Sequence, residues 1–401
     1  MSRFRCIGSA CEASCCSTGW SIAVDHEGYR RLDQAMSTNA GDRARFGRAV
    51  RRVRGDDEHL HALMVLDEHG ACPMLDPEGT CSVHRRFGES VLPNTCAIYP
   101  RQVSLAHGQI ELAGVLSCPE VVRQLYREPD STAIDPLDPT TLRNRVTQHV
   151  EGDTDPYDQF LDDVRATVVG LLETPGYPLA SRLFFIGWFA ELTRETFHRD
   201  AGAGAADALE AAIAGASDPD TLAAWHRGFA SIEATTPLAS QVIAGALKDR
   251  VEEKLDYEPF GALVRACYAN LGMQAVDDIV TIDAAAAHAA YLEKRQARDG
   301  EAVDAMLTRY AIDYWLKDYY TGSRDLGTHA NKLVLRIALL RFLLFAHPDF
   351  DDADPARTLV EVTYKLARAV EHDHVFGANL ETLMARLQIT SLAHSMFLMK
   401  L

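Results

Sequence analysis

The sequence has almost no cysteine beyond residue 118. Of its nine cysteines, only Cys267 lies in the long remainder of the chain. The other eight share the N-terminal stretch and are Cys6, Cys11, Cys15, Cys16, Cys72, Cys81, Cys96 and Cys118. A thiol density that stops so abruptly indicates either a metal site or a set of disulfides in a separate N-terminal domain.

The sequence also lacks a long apolar run. The most apolar stretch, 333–346, is interrupted by Arg336 and Arg341 and is too short to cross a bilayer. The first residues, Met-Ser-Arg-Phe-Arg-Cys, have no apolar signal-peptide core. We therefore expect a cytoplasmic protein without a membrane partner, in which clustered thiols stay reduced and bind metal. A four-disulfide domain is the alternative if the protein is exported.

Excess positive charge is absent as well. The formal net charge is −17, which argues against binding to a nucleic-acid backbone. Two interpretations stay open: a basic partner, such as a lysine-bearing protein, or a solvated acidic surface.

Several familiar cofactor patterns are missing. No glycine-rich loop follows a predicted strand as in a dinucleotide-binding unit. Cys11, Cys15 and Cys16 come close to the C-x3-C-x2-C triplet of radical enzymes that use S-adenosylmethionine, but break its last spacing. Paired C-x2-C knuckles of zinc ribbons are absent, and so is a repeat of 20 to 50 residues. Spacing alone therefore predicts a metal-binding module without naming a reaction.

The cysteines that are present favour a polynuclear centre. Their spacing is C-x4-C-x3-C-C, followed by C-x8-C, C-x14-C and C-x21-C. Because the side chains of adjacent Cys15 and Cys16 diverge, they suit different irons of one cluster, or two centres, better than one tetrahedral zinc. We expect all eight to be metal ligands, with an iron–sulfur cluster of the 4Fe-4S type as first choice and zinc as the alternative. His84 is either a further ligand or a surface residue.

Local patterns predict how these cysteines are presented. Residues 20–24 alternate like a short strand, and a helix with a solvated basic face is expected over about 27–53. Asp76-Pro77-Glu78-Gly79 is a turn that should pair Leu75 with Thr80 and bring Cys72 near Cys81. Leu105 to Leu116 predicts a strand pair around His107-Gly108. Cys118 precedes Pro119 and Glu120 at a helix start, which should lower its pKa.

The predicted fold is mainly α. It consists of an N-terminal cysteine-rich α+β metal-cluster domain with short strands (1–127), a proline-rich acidic linker (128–140) and an all-α helical domain (141–401). Helical periodicity places Leu307, Tyr310 and Tyr314 on one face and makes 333–345 a central buried helix. Arg368, Glu371 and His372 predict a salt-bridged helix end.

With these residues in view, the chain resembles the flagellin lysine-N-methylase family, within the wider group of cysteine-cluster proteins. The resemblance rests on FRCIGSACEASCCSTGWSI, CPMLDPEGTCSVHRRFGESVLPNTCAIYPR and LSCPEVVR, and more weakly on helical segments such as YAIDYWLKDYY. The first motif has longer gaps than the C-x2-C-x2-C-C form of the group.

The resemblance implies methylation of lysine amines on a surface protein such as flagellin, with S-adenosylmethionine as donor and an iron–sulfur centre. Candidate catalytic residues, chosen for their closeness to Cys96 and Cys118, are Tyr99, Arg101 and Glu120; a core aromatic and a charge-balancing arginine are the structural alternatives for the first two. The cluster could have a purely structural role, could bind the donor's amino and carboxylate groups at an open iron, or could generate a radical. Rival functions are a non-catalytic iron- or zinc-sequestering protein and a scaffold folded by zinc.

Overall fold

The computed structural model describes residues 3–17, 20–55, 59–138, 148–150, 160–199, 204–232, 236–253, 257–276, 279–281, 283–319, 326–371, 385 and 392–401. Most of these residues are helical, as the mainly α prediction requires. The chain divides into two compact units, the first formed by Met1–Val122 with Ile134–His149 and the second by Arg123–Ala133 with Val150–Leu401. The boundaries expected from sequence, 1–127, 128–140 and 141–401, stay a prediction.

The first unit alternates short strands with short helices. Its elements are β1 (Ala23–Val24), α1 (His26–Met36), α2 (Ala40–Ala49), β2 (Val50–Arg52), β3 (Ala62–Met64), α3 (Ser82–Phe87), α4 (Asn94–Ile98), β4 (Arg101–Ala106), β5 (Gln109–Gly114), the start of α5 (Pro119–Arg127) and β6 (Gln148–Val150). One antiparallel sheet has the order β1-β3-β2 and a second the order β5-β4-β6. Val24, Leu32 and Phe46 are buried in a core that also contains Cys72.

The helix expected over 27–53 is broken in the structure. It is replaced by α1, α2 and strand β2, because Asn39 accepts a hydrogen bond from Asp42 N and starts a new helix. The strand expected over 20–24 is confirmed only at Ala23–Val24. The strand pair around His107-Gly108 is confirmed as β4 and β5, and both turn residues have positive φ, as a two-residue hairpin turn requires.

The second unit is built from long helices. They are the end of α5, then α6 (Leu161–Glu173), α7 (Leu179–Arg199), α8 (Ala205–Ser217), α9 (Pro219–Ser231), α10 (Pro237–Glu253), α11 (Glu258–Asn270), α12 (Ala284–Arg298), α13 (Glu301–Lys317), α14 (Leu326–Ala346), α15 (Pro355–Val370) and α16 (Leu392–Met399). The predicted central helix is confirmed, since almost every residue of α14 is buried. Tyr310 and Tyr314 of α13 are buried together, as their periodicity predicted.

The all-α prediction for this unit is wrong in one detail. Gln274–Val276 and Ile279–Thr281 form an antiparallel two-stranded hairpin, β7 and β8. Gly272, with φ of 69°, ends the preceding helix and turns the chain toward the hairpin. Across the described ranges, no helix has both the length and the apolar character needed to cross a membrane.

Candidate functional site

The eight N-terminal cysteines lie on separate segments of the first unit. Cys6 and Cys11 flank a 3-10 turn, and Cys15 and Cys16 begin a second one. Cys72 is in a loop, Cys81 precedes α3, Cys96 is inside α4 and Cys118 precedes α5. All nine cysteines of the chain are in the described part, and none is disulfide-bonded. A site assembled from so many segments depends on the tertiary fold.

A backbone contact joins the turn of Cys15 and Cys16 to the loop that contains Cys72. Cys72 N donates to the carbonyl oxygen of Cys16 at 2.7 Å. After Cys72 the chain reverses at the predicted turn, where Gly79 N donates to the Asp76 carbonyl at 2.9 Å. The main chain therefore fixes the position of the turn with Cys15 and Cys16 relative to the hairpin that follows Cys72.

The predicted pairing of this hairpin is wrong by one residue. Leu75 pairs with Cys81, and not with Thr80. The reason is the Asp76 side chain, which accepts hydrogen bonds from both Thr80 N and Thr80 Oγ1 and so draws Thr80 into the turn. The inferred closeness of Cys72 and Cys81 is confirmed, because the charge of Cys81 contributes to the raised pKa of Cys72.

Five thiols converge in the first unit: Cys15, Cys16, Cys72, Cys81 and Cys96. The pKa of Cys16 is raised far above its usual range by its hydrogen bond with the Cys15 thiol, by burial, and by the charges of Cys15, Cys72 and Cys81. Burial raises the pKa of Cys96 strongly, and Cys72, Cys81 and Cys15 act in the same direction. This mutual repulsion means that several thiolates can coexist here only with a compensating positive charge.

Cys118 is close to a different pair of thiols. Its sulfur accepts hydrogen bonds from the backbone nitrogens of Glu120 and Val121, as expected at the start of α5. The predicted lowering of its pKa is nevertheless wrong. The pKa of Cys118 is raised to about 11, chiefly by burial and also by the charges of Cys11 and Cys15, and these effects outweigh the hydrogen bonds from the helix terminus. Cys15 therefore has neighbours in both groups.

The remaining predicted ligands are placed differently. Cys6 is exposed, and its sulfur accepts a hydrogen bond from Gly8 N at 3.4 Å. His84 is also exposed, on α3 three residues after Cys81. Among the described residues, Cys6 and His84 have no recorded contact with the five converging thiols.

The fit of these residues to a metal depends on the kind of centre. Within the described ranges, no three His, Cys, Asp or Glu side chains form a group that could hold a metal ion. A tetrahedral zinc site requires four ligands at about 2.0–2.3 Å from one ion. A polynuclear centre instead binds each thiolate to a different iron, so its ligands lie farther apart. The soft thiols therefore fit an iron–sulfur cluster in donor type, and the described side chains do not form the closed ligand set of one ion.

Asp25 supports the cysteine site and was missed in the sequence. Its carboxylate is buried, caps α1 by accepting from Gly28 N at 2.7 Å, and accepts from Asn94 N at 2.8 Å at the start of α4. It thereby holds the short helix that contains Cys96. An aspartate before a helix is a recognisable cap, but its second contact joins residues 69 positions apart and has no sequence signal.

Arg45 is a second supporting residue. Its Nε and Nη2 donate to the carbonyls of Pro73 and Leu75, both at 2.9 Å. The sequence predicted the basic run of α2 to be a solvated helix face, and for Arg45 this is wrong. The guanidinium satisfies two carbonyls of the loop that presents Cys72, and its charge lowers the pKa of that thiol against the effect of burial.

The three predicted catalytic residues lie beside the cysteine segments. Tyr99 packs edge-on against Trp20, with ring centroids 5.3 Å apart, and its hydroxyl is 3.4 Å from Ser117 Oγ, next to Cys118. Arg101 begins β4, and its guanidinium lies over the Phe4 ring. Glu120 is in the first turn of α5. The structure does not test their catalytic roles, which stay a prediction.

Comparisons with known proteins identify relatives. Residues 165–398 match the family model described as the FliB lysine N-methylase C-terminal domain. The lysine-N-methylases of Salmonella typhimurium and Salmonella choleraesuis are each 28% identical over 138 residues, which is 33% of this chain and 33% of the relative. The flagellar biosynthetic protein FliU of Salmonella muenchen is also 28% identical over 138 residues, or 78% of its own length.

The family model and the individual relatives match different lengths of this chain. The aligned region spans about a third of the length of the two lysine-N-methylases. No solved structure matches the chain. The family model covers more than half of the chain, including helices α7 to α15. The family expected from the sequence motifs is thus confirmed, and the chain belongs to the FliB lysine N-methylase family.

Proposed function

We propose that this protein is a methyltransferase that transfers methyl groups from S-adenosylmethionine to lysine side chains of a flagellin-type surface protein. The observation that carries the proposal is the match of residues 165–398 to the C-terminal domain of lysine N-methylases. The name of one relative, a flagellar biosynthetic protein, supports a flagellar substrate. The net charge of −17 suits a lysine-bearing partner.

The proposal includes an iron–sulfur centre in the first unit. The converging thiols of Cys15, Cys16, Cys72, Cys81 and Cys96 would hold it, with Cys11 and Cys118 beside them. Bound there, the centre would neutralise the thiolates and fasten segments that are far apart in sequence. Zinc is the alternative metal, and metal analysis separates the two.

Methyl transfer makes three demands on the chain's own residues. The target lysine must lose its proton, its nitrogen must lie in line with the donor methyl, and water must be kept from the sulfonium. The edge-to-face pair of Trp20 and Tyr99 offers an aromatic wall of the kind that favours a cationic methylamine. Glu120 supplies a carboxylate that can steer the ammonium or accept a proton, and Arg101 can balance the charge of thiolates.

Anaerobic purification and metal analysis test the metal part of the proposal. We expect a brown protein that contains iron and sulfide and absorbs broadly at roughly 400 nm. Cys96→Ser should lose most of the iron, whereas Cys267→Ser, in the second unit, should retain it. A colourless zinc protein would contradict the iron–sulfur assignment and favour the zinc scaffold.

Methyl transfer is tested separately with a labelled donor and flagellin as acceptor. We expect label in lysine side chains, and a marked loss of transfer with Glu120→Gln at unchanged metal content. If iron and sulfide are present but no basic protein accepts label, the methyltransferase proposal fails and the iron-sequestering alternative takes its place. A cytoplasmic location stays a prediction that cell fractionation can check.

A further inference from the structure

A row of aromatic rings joins helices α7 and α9 of the second unit. Phe184 and Trp188, one turn apart on α7, are stacked with ring centroids 6.1 Å apart. Phe229 of α9 stacks on Phe184 at 4.9 Å, and Trp225, one turn earlier on α9, lies 6.3 Å from Trp188. The four side chains form a continuous series in the order Phe229, Phe184, Trp188 and Trp225, which we call the aromatic row.

One end of the aromatic row already holds an ammonium group of the chain itself. Lys400 Nζ lies over the Phe229 ring, 4.5 Å from its centroid, and donates a hydrogen bond to the Ile232 carbonyl oxygen at 3.1 Å. The face of an aromatic ring is electron-rich and attracts a cation. The chemistry that binds an ammonium is therefore present within the row.

The other end of the aromatic row is open to solvent. Trp188 is 40% exposed and Trp225 is half-buried. Their rings are inclined by 59°, so the two indoles form a corner with two aromatic walls. Buried Phe185 packs against Trp225, with ring centroids 6.1 Å apart, and Phe184 supports Trp188. Tryptophans that stay accessible on such a support are typical of binding surfaces.

The surroundings of this corner favour a methylated ammonium over an unmodified one. An unmodified lysine has three N–H donors, which need acceptors once water is removed. Glu191 follows Trp188 by three residues, but its carboxylate is already paired with Arg194 at 3.3 Å. A methylated ammonium keeps its charge, has fewer donors and is bound through ring faces, as in the aromatic cages that recognise methyl-lysine.

We infer that the corner of Trp188 and Trp225 binds the ammonium of a methylated lysine in the substrate protein, with the cation against the indole faces. The inference rests on the proposed function, which supplies methylated lysine as its product. The net charge of −17 favours the same kind of partner. The second unit would then contain a product-binding site that retains a substrate protein after its first lysines have been modified.

The test measures binding of three short peptides to the purified full chain with its metal, by saturation-transfer NMR titration. One peptide contains trimethyl-lysine, the second an uncharged isostere in which carbon replaces the ammonium nitrogen, and the third unmodified lysine. The wild type should bind the first peptide about threefold to tenfold more tightly than either of the others, because only the first combines charge with ring contact and no N–H donors.

Trp188→Leu should abolish this preference, because it removes a ring face and keeps an apolar side chain. Leu192→Ala is the matched control, since Leu192 lies one turn further along α7 and is 45% exposed. It should retain the ratio of affinities that the wild type shows. If Trp188→Leu does not fold, Trp188→Phe is measured in its place, and the preference should fall by about half or more because a benzene ring attracts a cation less than an indole.

Three results overturn the inference: no binding of the trimethyl-lysine peptide, equal affinity of the wild type for it and for either other peptide, or an unchanged preference in the folded Trp188 variant. Methyl transfer to flagellin is assayed separately on the same samples. Transfer without a preference for the trimethyl-lysine peptide refutes only the product-binding site. A preference that depends on Trp188, without any transfer, refutes only the proposed activity.

Discussion

The Asp25 carboxylate accepts a hydrogen bond from the backbone nitrogen of Asn94 at 2.8 Å, across 69 positions of sequence. Its other oxygen caps α1 through Gly28 N. One buried side chain thus connects the start of α1 with the start of α4, the helix that contains Cys96. The charge of Asp25 also raises the pKa of that thiol, which shows how close the carboxylate is to the cysteines.

Replacing Asp25 should destabilise α1 and the short helix α4, which contains Cys96. Asp25→Ala removes a helix cap and leaves the buried Gly28 N–H and the part-buried Asn94 N–H without acceptors, so we expect a loss of about 2 to 3 kcal/mol in the free energy of unfolding. Hydrogen exchange should show the loss in α1 and α4. The matched control is Asp218→Ala, which removes an exposed cap of α9 and should cost only about 1 kcal/mol. Equal effects of the two substitutions would contradict the role given to Asp25.

Gly28 should tolerate no side chain. A Cβ there would lie 2.6 Å from Asp25 Oδ2 and 2.9 Å from Pro93 Cα. Gly28→Ala should therefore push α1 away from α4 and lower the free energy of unfolding by about 1 to 3 kcal/mol. Gly47→Ala, in α2, meets nothing within 4 Å and should stabilise by about 0.5 to 1 kcal/mol. Urea unfolding of both variants checks the opposite signs.

Removing the Arg45 guanidinium should free the loop that presents Cys72. Arg45→Met keeps the aliphatic stem but loses the hydrogen bonds to the Pro73 and Leu75 carbonyls, at an expected cost of about 1 to 3 kcal/mol. A chelator should then remove metal from the variant faster than from the wild type, as followed by absorbance. Arg48→Met, at an exposed position of the same helix, should change stability by less than about 0.5 kcal/mol and metal release not at all.

The ion pair of Asp42 and Arg86 should make stability depend on pH in acid. Arg86 donates two hydrogen bonds to the Asp42 carboxylate, which together with the Asn39 amide lower the pKa of Asp42 from 3.8 to about 2. Between these values the unfolded chain binds more protons, so stability rises with pH. The contribution is complete above about pH 4 and disappears as the pH falls through 2.

Asp42→Asn tests this pH dependence. The stability difference between the wild type and this variant should be constant from pH 7 to 5 and shrink toward zero as the pH falls from 4 to 2, as measured by urea unfolding at each pH. Asp33→Asn, at an exposed position of α1, should show almost no difference at any pH. If the difference in the free energy of unfolding between the wild type and Asp42→Asn were unchanged at pH 2, the ion pair of Asp42 and Arg86 would not be the cause of the pH dependence.

The turns of the first unit show which structural features could be predicted from local sequence patterns and which could not. Asp76-Pro77-Glu78-Gly79 predicted the reversal that brings Cys72 near Cys81, and His107-Gly108 predicted the β4–β5 hairpin. The pairing of Leu75 was wrong by one residue, because the Asp76 side chain bonds to Thr80 in a way that turn statistics do not specify. Cys118 shows the same limit: the helix start was correct, but burial reversed the expected pKa shift.

By itself, the sequence determined the local features: the thiol-rich segment, its turns, the buried faces of α13 to α15 and, through its motifs, the family. These depend on neighbouring residues and on helical or strand periodicity, which are visible in one dimension. Only the tertiary structure decided that Asp25 joins α1 to α4 and that Arg45 holds the Cys72 loop. Each depends on groups that meet across long sequence separations, where burial and the competition for hydrogen bonds determine which contact forms.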